Sequence, residues 1–221
     1  YFKIIKQNLN TDLKNSILEV GSSGFIKKII PNCITSNLVK IDRMIDLDEN
    51  VYDLKIKSET VSNLILVDIF HHLEFPRLAL NNMHRVLMNG GRIIMLEPAM
   101  GIFPRIIYSL FHHEPNGFNF RIKWDQIPEK IPNKNDYFAA QSIPWRAFVK
   151  KELNLGGLFE IKKVNCFSDF AFLASGGFSY RSFYPTFGYN FIKIADSILT
   201  KISSKLFSAR MLIILEKKEK I

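Results

Sequence analysis

Ile17-Leu18-Glu19-Val20-Gly21-Ser22-Ser23-Gly24 is the stretch on which the reading of this sequence turns. A short apolar run ends in an acidic residue, then in a turn of small residues. Phe25-Ile26-Lys27-Lys28-Ile29-Ile30 follows and is predicted to be a helix. Strand, turn and helix in that order form the unit from which an α/β sheet is wound. Glycine and serine let the backbone come close to a ligand, and the helix start offers free N–H groups. A plain βα turn in any α/β domain reads much the same, so this stretch alone assigns no function.

The flanks extend the pattern. Tyr1–Lys6 reads as a short helix, ended by the polar run Asn8–Asn15, and Ser16–Val20 is the first strand. After the Pro31-Asn32 turn, Ile34–Leu38 is a second strand and Arg43–Leu47 a third; Asp48–Glu59 takes no assignment. Asn63–Phe70 is almost continuously apolar, as expected of a strand covered on both faces. Pro76 opens a helix, Leu80, Met83, Val86 and Leu87 keep helical spacing, and Asn89-Gly90-Gly91 stops it. Arg92–Leu96 is the next strand, closing at Glu97-Pro98. This alternation predicts an α/β, doubly wound sheet.

Beyond Pro98 the rhythm changes. Residues 99–158 read as a cap inserted into a single domain spanning 1–221, with a helix over Pro144–Leu155. Phe159–Phe167 alternates like a strand, Gly176–Tyr189 is a loop of glycines and aromatics, and Arg210–Lys217 is the last strand. Between them Phe191, Ala195, Ile198, Ile202 and Leu206 share one helix face, with Lys193, Lys201 and Lys205 outside it. That helix suits either the core or, together with the aromatic stretch Phe178–Tyr184, a substrate pocket or peripheral contact with a membrane surface.

The 221 residues are 47% apolar and 23% charged, with a formal net charge of +9. That balance favours anionic partners, although lysine is spread along the whole chain. Cys33 and Cys166 are far apart and form no CxxC pair, so they are expected to be buried thiols in a reducing, cytoplasmic compartment. No apolar run reaches the roughly 20 residues of a membrane span. No signal peptide is seen, and because the chain begins at Tyr1 a leading segment is expected to be missing. His71-His72 and His112-His113 are adjacent pairs whose side chains are expected to point apart, with no third ligand at suitable spacing, so no metal is expected.

In a parallel α/β sheet ligands bind beyond the carboxyl ends of the strands. Here those ends carry Glu19, Asn37, Asp46, Asp68 and Glu97. Candidate bases near them are His71, His72 and Glu97, with His112, His113 and Glu114 in the cap. Each has an alternative role: His71 or His72 as a cap of the next helix, the cap histidines as a solvated turn, Glu97 as a brace for the loop after it.

Taken together, Leu18-Glu19-Val20-Gly21-Ser22-Ser23-Gly24, Asp68-Ile69-Phe70-His71-His72-Leu73, Arg85-Val86-Leu87-Met88-Asn89-Gly90-Gly91-Arg92 and Leu96-Glu97-Pro98 resemble, in order and spacing, a class I S-adenosylmethionine-dependent methyltransferase, of the type 11-like group. The resemblance covers about residues 16–98. It implies a Rossmann-like, doubly wound, mostly parallel sheet with a reversed last strand. It implies S-adenosylmethionine as cofactor and methyl transfer to a small-molecule, lipid-linked or glycan-linked acceptor. By the same resemblance Glu19, Gly21, Ser22 and Gly24 cradle the methionine part, Asn37 stands where an acidic residue grips the ribose, Asp46 and Leu47 meet the adenine, and Asp68 and Ile69 lie behind the sulfonium. His71, His72, Glu97 and His113 are the candidate catalytic residues.

The sequence departs from that pattern at several places. Ser23 and Phe25 stand where the family has glycine, Asn37 where it has a carboxylate, Ser62 where aspartate is common, and Asn89 where the turn has proline. These departures motivate a second reading, a non-catalytic methyltransferase-like binding module. A nicotinamide oxidoreductase fits less well, because G-x-G-x-x-G and its acidic partner are incomplete. No motif for nucleic-acid methylation is seen.

Overall fold

The computed structural model describes residues 1–39, 44–175 and 181–218. Within them, β1 (Ser16–Val20), β2 (Cys33–Asn37), β3 (Leu47–Asp48), β4 (Val61–Val67), β5 (Leu87–Pro98), β6 (Phe159–Phe167) and β7 (Arg210–Lys217) form one sheet in the order β3-β2-β1-β4-β5-β7-β6. The pairs β3–β2, β2–β1, β1–β4 and β4–β5 are parallel. Strand β7 runs antiparallel to both β5 and β6. The reversed last strand expected from the sequence is therefore present. The chain order reverses between β1 and β4, which puts a ligand crevice beyond their carboxyl ends.

Register explains why the middle strands read as unbroken apolar runs. Leu64 pairs with Ile93, which pairs with Leu215; Leu66 pairs with Met95, which pairs with Ile213. These face one core together with Ala79, Leu80, Met83 and Val86 of α2 (Pro76–Val86). The alternate row, Ile65, Ile94 and Ile214, faces a smaller core with Ile5, Ile26, Ile30 and Cys33. Both sheet faces are covered, so Leu64–Val67 of β4 runs apolar without alternation, while Ser62 and Asn63 at its start bond to the chain before β1.

Several local expectations are corrected. The predicted helix over 25–30 is a single 3₁₀ turn, Phe25–Lys28. Only Ile26 of that turn is buried, while Phe25 and Ile29 face out, and Pro31 blocks continuation. The third strand is only Leu47–Asp48; the expected start at Arg43 lies outside the described residues. Helix α2 ends at Val86 without using Asn89-Gly90-Gly91, because β5 begins directly at Leu87. The glycines instead sit where the β4–β5 register shifts, Gly90 with φ of 71°. The helix predicted over 144–155 is α4 (Ile143–Phe148), beyond which Lys151 takes a left-handed φ of 60°.

After Pro98 come α3 (Ile102–Phe111), an irregular stretch to Ser142, and α4. Between β6 and β7 lie α5 (Phe170–Ala174), α6 (Tyr189–Ile202) and α7 (Ser204–Phe207); a short α1 (Phe2–Lys6) precedes the sheet. The single C-terminal helix expected through Leu206 is broken at Ser203, whose hydroxyl caps α7 by accepting from Leu206 N. Helix α6 also docks by the opposite side to that of a core helix. Its buried residue is Asp196, which accepts from Ser168 Oγ (2.6 Å), Phe170 N (2.7 Å) and Ala171 N (3.0 Å). Phe191, Ile194, Ile198 and Ile202 are exposed.

Candidate functional site

The site begins where β4 and β5 end. Asp68 leaves β4 with a left-handed φ of 56°. Ile69 follows, then a 3₁₀ turn over Phe70–His72. Glu97, fully buried at the end of β5, accepts from Ile69 N (2.9 Å) and Phe70 N (2.7 Å), and contacts His71 Nδ1 at 2.8 Å. One carboxylate thus fixes the turn after the neighbouring strand and orients its first histidine.

The stretch after α3 closes over this turn. Ala140 N donates to His71 O at 3.0 Å. His72 Nδ1 meets Phe138 O at 3.0 Å. Glu114 accepts from the Tyr137 hydroxyl (2.6 Å) and from the Gln141 side-chain amide. Around the Glu114 carboxylate stand His71 Nε2 (3.4 Å), His72 Nε2 (3.7 Å) and His113 Nε2 (3.7 Å). His112 Nδ1 accepts from Glu114 N at 3.1 Å. Four histidines therefore gather on one buried carboxylate. The adjacent pairs do not point apart: the rings of His71 and His72 lie 4.1 Å apart between centroids, those of His112 and His113 4.8 Å.

Charge follows this geometry. Burial alone would depress His71, but Glu114 and Glu97 on either side hold its pKa up at about 9. Burial would raise Glu114, yet His71 and Tyr137 bring it well below the usual carboxylate range. His72 is lowered by burial and by the positive charge of His71 beside it. His112, half-buried, is also lowered by desolvation.

These groups form the floor of a cavity of about 720 Å³. Its walls are apolar and aromatic, from Leu110 and Phe111 of α3, Phe172 and Leu173 of α5, and Phe183. Of the aromatic stretch expected to line a pocket, Phe183 does so; Phe178–Tyr180 lie outside the described residues. Buried Arg210 closes one side. Its Nη2 reaches Asp68 at 3.0 Å and its Nη1 the other oxygen, and the guanidinium lies over the rings of Tyr1 (5.1 Å) and Phe172 (5.5 Å). Asp68 is thus paired with a cation.

The second group of expected residues lies at the ends of β1 and β2. Glu19, 3% exposed, accepts from the Ser22 hydroxyl, which also receives Gly24 N at 2.8 Å. Burial pushes the Glu19 carboxyl up to about 7. Ser22 N donates to Ser36 O (2.8 Å), and the Asn37 amide donates to Ser22 O (3.0 Å), which ties the turn to β2. Gly21 and Gly24 both take left-handed φ, 72° and 81°. Ile69 packs into the space over Gly21, where an added Cβ would lie 2.1 Å from its Cδ1. Ile69 therefore joins the glycine turn to the histidine floor. Asp46 accepts from Thr35 N (2.9 Å) and Lys27 Nζ (2.6 Å), which lower its pKa, so its carboxylate braces β2; Leu47 beside it is half-buried.

Of the residues expected from sequence, His71, His72 and His113 stand round Glu114 with Glu97 behind His71, and Glu19, Gly21, Ser22, Gly24 and Asn37 gather at β1 and β2. Asp68 pairs with Arg210, Ile69 packs over Gly21, and Asp46 with Leu47 beside it braces β2. Arg210, Tyr137 and Gln141 were missed. Arg210 opens a strand and carries no local motif; only the register that places it opposite Pro98 brings it to Asp68. Tyr137 and Gln141 lie in irregular chain without periodicity.

The profile of the family described as "Methyltransferase domain" matches residues 27–95. No curated protein matches the chain. Among solved structures, an S-adenosylmethionine-dependent methyltransferase of Thermotoga maritima aligns over 99% of this chain and 87% of its own, at TM-score 0.54 and 14% identity. One of Mesorhizobium loti covers 97% and 96%, at 0.50 and 13%. A geranyl diphosphate methyltransferase in complex with S-adenosylmethionine covers 98% and 84%, at 0.53 and 12%. At such identities the likeness is one of fold.

Proposed function

We propose that this chain, a class I S-adenosylmethionine-dependent methyltransferase, methylates an acceptor with an extended apolar part: a small molecule, or the lipid end of a lipid-linked glycan. The observation that carries this reading is the 720 Å³ cavity beside the end of β4, largely apolar on its walls, with polar groups at its histidine floor and at the Asp68–Arg210 pair on one side. Apolar walls gain on the order of 25 cal/mol for each Å² of apolar surface they bury. The polar floor then selects which acceptor atom is presented.

The cofactor supplies an electrophilic methyl group when bound. The donor set at β1 and β2 fits it. The buried Glu19 carboxyl, relieved only by the Ser22 hydroxyl, gains from an ammonium group nearby. Asn37, whose amide N–H is spent on Ser22 O, keeps its carboxamide oxygen for a hydroxyl. Gly21, Ser22 and Gly24 would hold the methionine part, Asp46 and Leu47 the adenine side, and Asp68 with Ile69 the boundary with the acceptor. On the acceptor side Glu97 and His71 position the floor, while His72, Glu114 and His113 face the acceptor atom. Residues 99–158 act as the cap that chooses the acceptor. Methyl transfer needs alignment first, and the braced floor provides it.

The exposed faces of α3 and α6 extend the apolar character beyond the cavity. Phe103 and Ile106 of α3, Leu199 of α6 and Phe207 of α7 line a separate groove of about 330 Å³. With Lys201 of α6 and Lys205 of α7 exposed and a net charge of +9, this part of the surface suits peripheral contact with an anionic bilayer. The test is transfer of labelled methyl from S-adenosylmethionine to a series of acceptors sharing one polar head and differing in chain length. kcat/KM rising with chain length, and falling on Leu110→Asp, is the expected result. Turnover restricted to the shortest polar acceptors would overturn the acceptor class; no binding of S-adenosylmethionine by calorimetry would leave the non-catalytic binding module instead.

A further inference from the structure

We infer that His71, His72 and Glu114 form a binding site for a divalent transition-metal ion, open toward the acceptor cavity. His71 Nε2, His72 Nε2 and a Glu114 carboxylate oxygen all lie within 4.8 Å of one another. The two nitrogens are 3.4 and 3.7 Å from the carboxylate. Ligand atoms held about 2.0–2.2 Å from one ion stand roughly 3–3.6 Å apart, so the three atoms need little movement to share one. Two His and one carboxylate, with a side left open, is a set suited to Zn²⁺, Co²⁺, Mn²⁺ or Fe²⁺ rather than to Ca²⁺.

The surroundings of these residues carry the argument further than their proximity. A metal-binding imidazole has its second nitrogen held by an acceptor oxygen, which fixes tautomer and orientation. Both histidines meet this condition. His71 Nδ1 is 2.8 Å from Glu97 Oε2, and His72 Nδ1 is 3.0 Å from Phe138 O. Each thereby turns Nε2 toward Glu114. The carboxylate is itself oriented by the Tyr137 hydroxyl and the Gln141 amide. His113, exposed at the rim, approaches the same carboxylate with Nε2 3.7 Å from Glu114 Oε1 but lies outside the three-atom cluster. Binding displaces the Nε2 proton of His71 to solvent. On the acceptor reading above, the open side of the ion takes a hydroxyl oxygen of the acceptor.

The test uses the whole chain, stripped with a chelator and free of S-adenosylmethionine. Zn²⁺ is titrated by calorimetry and Co²⁺ by its visible absorption. One ion per chain is expected. His72→Ala and Glu114→Gln should each weaken Co²⁺ binding at least about tenfold, and Glu97→Gln, which leaves all three ligands in place, about 10–100-fold. Circular dichroism checks that each variant is folded. On the unaltered protein, Zn²⁺ should shield His72, the more exposed of the two histidines, from diethyl pyrocarbonate, a readout that requires no variant. Failure of the folded chain to take up either ion, absence of shielding, or wild-type affinity in the His72 and Glu114 variants would overturn the proposal. Binding of S-adenosylmethionine, measured separately, reports on the methyltransferase reading independently.

Discussion

Gly24 and Glu19 show how much of the first turn rests on single residues. Gly24 holds φ of 81°, and a Cβ there would lie 2.8 Å from Met44 O. Gly24→Ala therefore meets both backbone strain and a clash with main chain. It should cost about 1–3 kcal/mol in denaturant unfolding, and on the proposed reading it should weaken S-adenosylmethionine binding by calorimetry. Glu19 gives a pH signature. Its folded pKa is pushed up to about 7 from an unfolded 4.5, so the folded state keeps a proton that the unfolded chain loses. Stability should be greatest below about 4.5 on this group's account, fall as pH rises to about 7, and stay level above that. Glu19→Gln should remove that slope from a series of thermal melts. An unchanged slope would show that the carboxyl is not held protonated.

At the scale of elements, the central strands carry the stability and the later helices carry the site. Leu66 is fully buried between Val20 and Met95 in the sheet register. Leu66→Ala should cost about 2–5 kcal/mol, read from the urea midpoint. The site depends on short links between elements: one buried Glu97 joins the ends of β4 and β5, and Asp196 joins α6 to the Ser168–Ala171 turn. That second link explains why α6 turns its apolar residues outward. A buried carboxylate satisfied by one hydroxyl and two backbone N–H groups fixes the helix's orientation, since leaving it unpaired would cost more than the apolar stripe gains by burial. Amphipathic spacing predicts a stripe but not the direction in which it faces.

For the whole molecule, α6 and the end of α3 present exposed apolar residues, and Leu110 of α3 also lines the proposed acceptor cavity. Phe191 is 73% exposed and Leu110 70%. If these residues meet a bilayer, the chain should co-sediment with vesicles containing phosphatidylglycerol. Phe191→Asp with Ile198→Asp should reduce that binding at least tenfold while leaving thermal stability within about 0.5 kcal/mol, as for surface positions. Equal binding to neutral and anionic vesicles, or no loss in the double variant, would argue against it.

The sequence by itself determined the sheet. The near-continuous apolar run read over Asn63–Phe70, observed as β4 over Val61–Val67, points to a strand covered on both faces, Arg92–Leu96 and Arg210–Lys217 read as further strands, and the strand ends at Glu19, Asp68 and Glu97 point to the crevice. Those signals are local: they depend on residue type and on spacings of a few positions. The tertiary structure alone decided which groups meet. Glu114 lies 43 positions after His71 in irregular chain, and Arg210 lies 142 positions after Asp68. No periodicity links such pairs, because their contacts are set by loop paths and strand register. For the same reason the adjacent histidines, which a sequence shows only as neighbours, turn both Nε2 atoms to one carboxylate: Glu97 and the Phe138 carbonyl, brought in from elsewhere in the fold, hold their other nitrogens.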